Sequence, residues 1–242
     1  MELTVILIEP ENPGNTGAIC RAMKNFDFEN LLLIGPKFSL RSSELRNRAK
    51  WANDLVDNIE SRKYNKNSLK KLKKEFDYLI ATTARVGRDY NVLRIPVTPE
   101  QLAERMVDLE KSKSRIGILI GREGSGLNNE EISSCDFSTT IPTSKKYGTM
   151  NISHATTIIL YEIFKRLSKT KNKGTIISHI NPITEKEKQQ LMKLLDQAMD
   201  NMHFLNEKKK DTQRTVWKKL IGKTFLSRRE AYALMGFLKK IR

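Results

Sequence analysis

The 242-residue chain has few of the residues that form disulfides or hold metal ions. Its two cysteines, Cys20 and Cys135, lie far apart and form no Cys-x-x-Cys pair. The three histidines, His154, His179 and His203, lack the spacing of metal ligands. We therefore predict no metal site, and the sparse, separated cysteines favour the reducing cytoplasm as the location.

Long apolar runs are also missing. No stretch reaches the roughly 18 apolar residues of a membrane-spanning helix, so no membrane span is predicted. The opening segment, MELTVILIEPENPG, has no basic residues before its apolar run and has acidic residues after it. This pattern predicts a first β-strand and not a signal peptide.

Positive charge, in contrast, is abundant and unevenly distributed. The net charge is +16; residues 1–165 hold 25 Lys and Arg against 21 Asp and Glu, whereas residues 166–242 hold 19 against 7. A basic C-terminal segment beside a nearly balanced remainder favours a polyanionic partner, nucleic acid first. The alternative is a general enrichment of lysine on solvent-exposed faces.

The most informative stretch is IGILIGREGSGL, residues 116–127. Its β-branched start predicts a buried parallel strand. Gly121, Gly124 and Gly126 then allow a sharp turn and the close approach of a ligand to the main chain. Ligands of open α/β sheets bind beyond the carboxyl ends of strands, so we expect a cofactor here. The glycine spacing matches neither GxGxxG nor a phosphate loop, which argues against a Rossmann nucleotide site. An ordinary strand-to-helix turn is the alternative.

Strand and helix patterns alternate along the first two thirds of the chain. This alternation predicts a doubly wound α/β domain with a mostly parallel sheet over residues 1–168. The predicted strands cover about 3–8, 30–34, 78–82, 116–120 and 138–141, with a short strand or loop at 54–59. The predicted helices cover about 15–25, 43–51, 66–75, 99–108 and 151–167.

The first helix carries a candidate functional side chain. We predict that it begins at Asn15 or Thr16, and its apolar stripe lies on one side. Arg21 lies on the opposite side, roughly in line with Gly17 and Lys24. A glycine and two cations just after a strand end indicate a surface that faces an anion or a substrate.

The last third of the chain has a helical pattern of its own. Residues 169–183 are predicted to form a linker, and residues 184–242 a small basic all-α module. Its three helices are predicted at about 184–205, 211–221 and 228–241, the last with a capping box between Ser227 and Glu230.

Three sequence blocks stand in a recognisable order: NTGAICR at 15–21, IGREGSGL at 120–127 and YGTMNIS at 147–153. Together they resemble the three motifs of the SPOUT superfamily of RNA methyltransferases, in its SpoU/TrmH branch. The opening PENPGNTGAICRAMKNF, the segment TTAR at 82–85 and the helical extension are similar to the TrmJ group, which methylates tRNA ribose.

The resemblance implies a fold, a cofactor and a reaction. The parallel sheet would end in a deep C-terminal trefoil knot, and two copies would form a homodimer in which each site is completed by the partner chain. The cofactor would be S-adenosylmethionine, bent into the knot loops. The reaction would be 2′-O-methylation of a tRNA ribose, with nucleotide 32 of the anticodon loop as the expected target.

The resemblance also implies roles for individual residues. Arg21, supported by Asn15, would carry catalysis. It would act either as the base or, because guanidinium stays protonated, by orienting the ribose and stabilising the developing alkoxide. Lys24, Arg85 and Arg88 would contact RNA. The cofactor would be held by a larger set: Thr82, Thr83, Ala84, Gly121, Glu123, Gly126, Ile141, Gly148, Thr149, Met150 and Asn151.

The chain departs from the family pattern in two places. Arg122 stands where many relatives have proline, and the third motif reads Gly-Thr-Met-Asn-Ile-Ser-His where relatives often have Ser-Leu-Asn-Leu-Ala-Gln. The second departure leaves Ser153 and His154 without a role.

Two other functions remain open at this point: a ribose methyltransferase of ribosomal RNA, and a non-catalytic RNA-binding protein that keeps the fold. Asn15, Arg21, Glu123 and Asn151 occur together, which favours an enzyme.

Overall fold

The computed structural model of the protein describes residues 1–84, 96–110, 112, 114–171, 183–202, 204, 206–224 and 226–241, with the backbone alone at 169–171. Within these residues, six strands form one sheet: β1 Glu2–Ile8, β2 Asn30–Ile34, β3 Glu60–Arg62, β4 Tyr78–Thr82, β5 Arg115–Ile120 and β6 Phe137–Thr139. The strand order is β3-β2-β1-β5-β4-β6, and every neighbouring pair is parallel. The predicted α/β fold with a mostly parallel sheet is confirmed.

The described helices surround this sheet and continue beyond it. They are α1 Pro13–Asn25, α2 Ser43–Ala49, α3 Asn53–Asp57, α4 Ser68–Glu75, α5 Pro99–Glu110, α6 Asn129–Ser134, α7 Ile152–Lys171, α8 Glu185–Asp200, α9 Glu207–Thr224 and α10 Arg228–Leu238. A single 3₁₀ turn, Lys50–Ala52, joins α2 to α3. No described helix combines the length and apolarity that crossing a membrane requires.

The central strands are buried on both faces, as their continuous apolar sequences require. Along β1, Val5 and Leu7 pack on one face, while Ile6 and Ile8 pack on the other. The first face is covered by α1, α2, α5 and α7, and the second by α4 and α6. The result is a three-layer sandwich whose strand ends are free to form a site.

Two local predictions were wrong. Asn12, and not Asn15 or Thr16, caps α1: its side chain accepts the N–H of Asn15 at 3.1 Å, and Pro13 takes the first helical position, where a missing N–H costs nothing. Residues 53–57 form the helix α3, and the strand β3 follows it at the sheet edge, although a strand or loop was expected at 54–59.

The helices α8, α9 and α10 share a small apolar core of their own, which includes Ile183, Leu191, Ile221, Leu226 and Met235. The predicted capping box of α10 is present, and a second one, Thr184 with Glu187, begins α8. Helix α7 extends to Lys171, into the segment that was predicted as linker.

Buried lysines attach these helices to the sheet domain. The Lys188 ammonium donates to the Asp77 carbonyl at 2.6 Å and forms an ion pair with Asp136 at 3.0 Å. The Lys219 ammonium donates to the carbonyls of Ile132 and Cys135, each at 3.3 Å. The C-terminal helices are therefore bonded to the residues just before β4 and β6 and to the end of α6.

Candidate active site

A cavity of about 380 Å³ lies beyond the carboxyl ends of β4, β5 and β6. This is where an open α/β sheet is expected to bind a ligand, and the volume is in the range of small-molecule sites. Ten of the eleven residues predicted to hold a cofactor line it: Thr82, Thr83, Ala84, Gly121, Glu123, Gly126, Ile141, Gly148, Thr149 and Met150. Asn151, the eleventh, lies outside the lining.

The floor of the cavity is the glycine-rich turn after β5. A Cβ on Gly121 would lie 2.7 Å from the Cα of Gly126, so the turn can close on itself only with glycine at this position. Gly126 has φ +70°, a conformation that side chains disfavour. A Cβ on Gly124 or Gly126 would meet nothing within 4 Å, so the main chain of the turn is open to a ligand.

Arg122, which departs from the family pattern in the second motif, holds this turn in place. Its guanidinium contacts Glu9 after β1 at 2.6 Å and Glu131 in α6 at 3.0 Å. It also donates to the carbonyl of Gly126 at 3.3 Å. The Tyr64 hydroxyl donates to Glu131 at 3.0 Å. One planar cation therefore connects the turn, the loop after β1 and the first turn of α6, as the guanidinium fork allows.

The charges in this cluster stabilise one another. The Lys37 ammonium and the Arg122 guanidinium lower the pKa of Glu9, and Glu131 and Glu9 raise the pKa of Arg122. The Glu131 side chain is fully buried, which is tolerable because it is paired and also completes the capping box of α6 with Asn128. Glu9 itself has φ +43°, a strained conformation that these contacts maintain.

The three sequence motifs meet at Glu123 and Asn15. The Glu123 carboxylate accepts the main-chain N–H groups of Glu11 at 3.0 Å and Asn12 at 3.1 Å, and the Asn15 amide at 3.3 Å. The Asn15 carbonyl oxygen in turn accepts the amide of Asn151 at 3.0 Å. Motifs that are more than 100 residues apart in the chain are thus joined by consecutive hydrogen bonds.

The predicted catalytic residues, Asn15 and Arg21, do not line the cavity. Asn15 is one hydrogen bond from Glu123, which does line it. Arg21 lies farther along α1 and is exposed, away from the core as predicted. Within the described part of the chain, no hydrogen bond or ion pair holds its guanidinium, so it is available to an external group.

The predicted substrate-facing surface on α1 needs a correction. Gly17 is buried against α2, where a Cβ would lie 2.9 Å from the Cβ of Arg48, so this glycine serves helix packing. Lys24 bonds both carboxylate oxygens of Asp54 at 2.6 Å, and its contact with RNA stays a prediction. Arg85 and Arg88, also predicted to contact RNA, lie outside the described residues.

The residues that the sequence analysis missed are Glu9, Tyr64 and Glu131, together with the structural role of Arg122. The spacing of Asn128 and Glu131 is a capping-box signature visible in the sequence, but no pattern indicates that Glu131 also receives an arginine. Burial raises the pKa of Cys20 and Cys135 to about 12, so neither thiol is a nucleophile. His154, left without a role, is exposed on α7.

Comparisons with known proteins agree with this architecture. The model of the SpoU rRNA methylase family matches residues 2–161. The chain is 37% identical to the tRNA (cytidine-2′-O-)-methyltransferase TrmJ of Methanocaldococcus jannaschii over 237 residues, 98% of each protein. It is 25% identical to the tRNA (cytidine/uridine/adenosine-2′-O-)-methyltransferase TrmJ of Pseudomonas aeruginosa, over 98% of this chain and 92% of the relative. The crystal structure of TrmJ from Z. mobilis superimposes with a TM-score of 0.64 at 23% identity and covers 99% of both chains.

Proposed function

Because the chain belongs to the SpoU rRNA methylase family, we propose that it transfers a methyl group from S-adenosylmethionine to the 2′-hydroxyl of a tRNA ribose. The observation that carries this proposal is the convergence of the three motifs on one cavity at the strand ends. The names of the TrmJ relatives support tRNA as the substrate class. Nucleotide 32 of the anticodon loop is the position we propose within it.

The residues that line the cavity fit S-adenosylmethionine. Ile141, Ile152 and Ile159 offer an apolar surface to an adenine ring, and the open main chain of the glycine turn offers hydrogen-bonding groups to the polar parts. Thr82, Thr83, Ala84, Gly148, Thr149 and Met150 would enclose the remainder. When bound, this cofactor supplies an electrophilic methyl group.

The residues of the chain would place and activate the ribose. Positioning the acceptor can lower a barrier by about 7–11 kcal/mol in favourable cases. The Arg21 guanidinium would donate to the ribose oxygen and stabilise the negative charge that develops there. Because a guanidinium group holds its protons tightly, proton removal by Arg21 itself is the less favoured role. Asn15, tied to Glu123 and Asn151, would hold the start of α1 against the cofactor turn.

Arg21 is exposed and does not line the cavity of its own chain. We therefore propose a homodimer in which Arg21 of one protomer meets the cavity of its partner. We also propose that the chain forms the expected trefoil knot after β5. In support, residues 121–129 and 148–150 line the same cavity, and α7, which follows, packs against α1 and α5.

We propose that the basic outer face of α8, α9 and α10 contacts tRNA. Exposed cations on these helices support this role: Lys186, Lys193, Lys208, Lys209 and Arg229. The division into a domain at 1–168, a linker at 169–183 and a module at 184–242 stays a prediction.

The test combines cofactor binding with mapping of the product. Calorimetry on EDTA-treated protein should show S-adenosylmethionine binding without added metal. Incubation with tRNA and, separately, with ribosomal RNA should give a ribose methylated at nucleotide 32 of tRNA. If only ribosomal RNA is methylated, the substrate is ribosomal RNA and not tRNA. Binding of tRNA with no binding of the cofactor at millimolar concentration would indicate a non-catalytic RNA-binding protein.

A further inference from the structure

Trp51 is the side chain that the proposed chemistry leaves unexplained. It is 94% exposed, in the 3₁₀ turn between α2 and α3. A tryptophan offers a large rigid apolar face, and proteins normally bury most of it. Among the described residues from 26 to 75, no other large apolar side chain is exposed. Trp51 is therefore the one exposed large apolar side chain in this described stretch of the sequence.

Contacts on either side of Trp51 place it beside Arg21. Arg48, three residues earlier, packs against Gly17 of α1, and Asp54, three residues later, bonds Lys24 of α1. Gly17 and Lys24 are two helical turns apart on one face of α1, and Arg21 lies between them on that face. The segment 48–54 therefore runs along the turn of α1 that carries Arg21, with Trp51 at its midpoint.

The backbone just before Trp51 is strained, and the exposed charged side chains there are positive. Lys50 has φ +54° and ψ −118°, a conformation that favours glycine. The Asn53 amide donates to the Lys50 carbonyl at 2.8 Å and fixes the turn. Lys50 and Arg48 are both exposed, whereas the nearest carboxylate in sequence, Asp54, is neutralised by Lys24.

We propose that Trp51 is a stacking platform for an unpaired base of the RNA, next to the ribose that Arg21 serves. Lys50 and Arg48 contact the flanking phosphates. Unstacked bases in RNA loops bind to aromatic side chains flanked by cations, through ring faces that every base has. Lysine is depleted in the cores of protein–protein interfaces, and Lys50 directly precedes the ring, which argues against a subunit contact. The inference rests on the proposed function and deepens it.

The first test measures tRNA affinity of Trp51 variants. We expect Trp51→Ala to raise the Kd about 10-fold, because stacking of one base is worth roughly 5- to 150-fold. Trp51→Phe should keep most of the affinity, whereas Trp51→Leu should lose as much as Trp51→Ala, because leucine keeps apolar area but has no ring face. S-adenosylmethionine affinity and melting temperature should not change.

Salt dependence and strain provide two matched controls. Trp51→Ala should leave the logarithmic salt slope of tRNA binding unchanged, while Arg48→Ala should reduce it by about 0.7–0.9, the amount expected when one phosphate is no longer neutralised. Lys50→Gly removes a charge and relieves the positive φ. It should therefore weaken tRNA binding and raise the melting temperature by about 2–4 °C.

Fluorescence reports the stacking directly, because the chain has two tryptophans, Trp51 and Trp217. In a Trp217→Phe background, tRNA should quench the remaining emission at saturation, since a base in contact with the indole quenches it. Addition of S-adenosylmethionine alone should not quench it.

Three results would overturn the inference. They are wild-type tRNA affinity in Trp51→Ala, unquenched emission at saturating tRNA, and a halved mass of Trp51→Ala by light scattering, which would make the ring a subunit contact. If the wild-type protein binds no tRNA at all, the proposed function fails and this inference fails with it. If the wild type methylates tRNA and only the Trp51 results disagree, the inference alone is wrong.

Discussion

Two regions of the molecule hold cations away from water, and they do so in different ways. At the cofactor turn, Arg122 faces two carboxylates, Glu9 and Glu131. At the C-terminal helices, Lys188 faces the carboxylates of Asp136 and Glu185 and one carbonyl, and Lys219 donates to two carbonyls. In the first region the fork of one arginine sets the shape of the site. In the second, lysines attach one group of helices to another.

The two regions show that a count of charged residues overestimates the basic surface that a partner can contact. The C-terminal third holds most of the excess positive charge, which predicts a large basic surface. Several of its cations already bind other groups of the same chain, either in the interior or in ion pairs at the surface. They are Lys188, Lys210, Arg214, Lys218, Lys219 and Arg228. The surface available to a polyanion is therefore smaller than the composition suggests.

The largest expected effect concerns Arg21, which belongs to neither of these two regions. No group in the described part of the chain forms a hydrogen bond or an ion pair with it. Arg21→Ala should reduce methyl transfer by about 10²–10³-fold, the loss typical when one donor to a developing negative charge is removed. Its melting temperature should stay at the wild-type value, because the side chain is exposed. Arg21→Lys should also be poor, since a point charge does not replace the planar fork.

Single-turnover methylation of tRNA and thermal melts measure both quantities. Arg46→Ala is the matched control, an exposed arginine that pairs with Asp57 on the surface. Near-normal turnover in Arg21→Ala would remove Arg21 from the mechanism.

Arg122→Met tests the first region. It leaves Glu9 and the buried Glu131 without their cation, and breaking a buried pair typically costs about 3–5 kcal/mol. Because the turn loses its anchor, affinity for S-adenosylmethionine should fall as well. Urea unfolding and calorimetry report the two effects. A variant that is destabilised but binds the cofactor normally would show that the cluster supports the fold and not the site.

Lys188→Met tests the second region. We expect it to reduce stability as Arg122→Met does, but without the loss of cofactor affinity. Burial by itself would raise the pKa of Asp136, but Lys188 and the N–H of Leu79 together hold it below its usual value. Removal of the ammonium leaves that carboxylate buried and unpaired, at a cost of about 3–5 kcal/mol. Cofactor affinity should not change, because Lys188 does not line the cavity.

Lys210→Met, which breaks a pair with the exposed Asp200, is the control and should have little effect on unfolding. A loss of cofactor affinity in Lys188→Met equal to that in Arg122→Met would mean that the two regions act as one.

The smallest effect concerns pH. Burial, reinforced by Lys73, lowers the pKa of Lys218 to about 8. The unfolded chain, with a lysine pKa near 10.4, then binds more protons than the folded chain between about pH 8 and 10.4. This lysine should therefore make the free energy of unfolding rise with pH through that window, by roughly 2–3 kcal/mol.

Urea unfolding at pH 7.5 and 9.5, for the wild type and for Lys218→Met, isolates this contribution from Lys219 and Asp136 nearby. The variant should show a flatter profile. Identical pH profiles for the two proteins would contradict the assignment.

The elements that sequence reasoning placed well are those with a strong local signal. The apolar runs of β1, β2, β4 and β5 and the capping box of α10 locate the starts of those elements closely. The misplaced ones had weak or ambiguous signals. The helix α3 is five residues long, and β3 pairs with a single neighbouring strand at the sheet edge. Their conformations depend on packing against the rest of the domain more than on their own sequences.

The candidate site follows the same division. Ten predicted cofactor residues line one cavity, because glycines and strand ends are visible in sequence and parallel strands place their carboxyl ends together. The contacts of Arg122 were not predictable, because they join residues that are 9 and 113 positions away. Gly17 lies on the predicted face of α1, but that part of the face packs against α2 and not against a substrate.

The sequence by itself determined the parallel α/β fold, the three motifs and the position of the glycine turn, because these depend on local patterns and on the period of apolar residues. Only the tertiary structure decided which charges are free and which are occupied. Lys188 and Arg21 are both cations in the printed sequence, yet one is buried against Asp136 and the other is exposed on α1. Burial and partnership arise from distant segments brought together, and electrostatic strength depends on both.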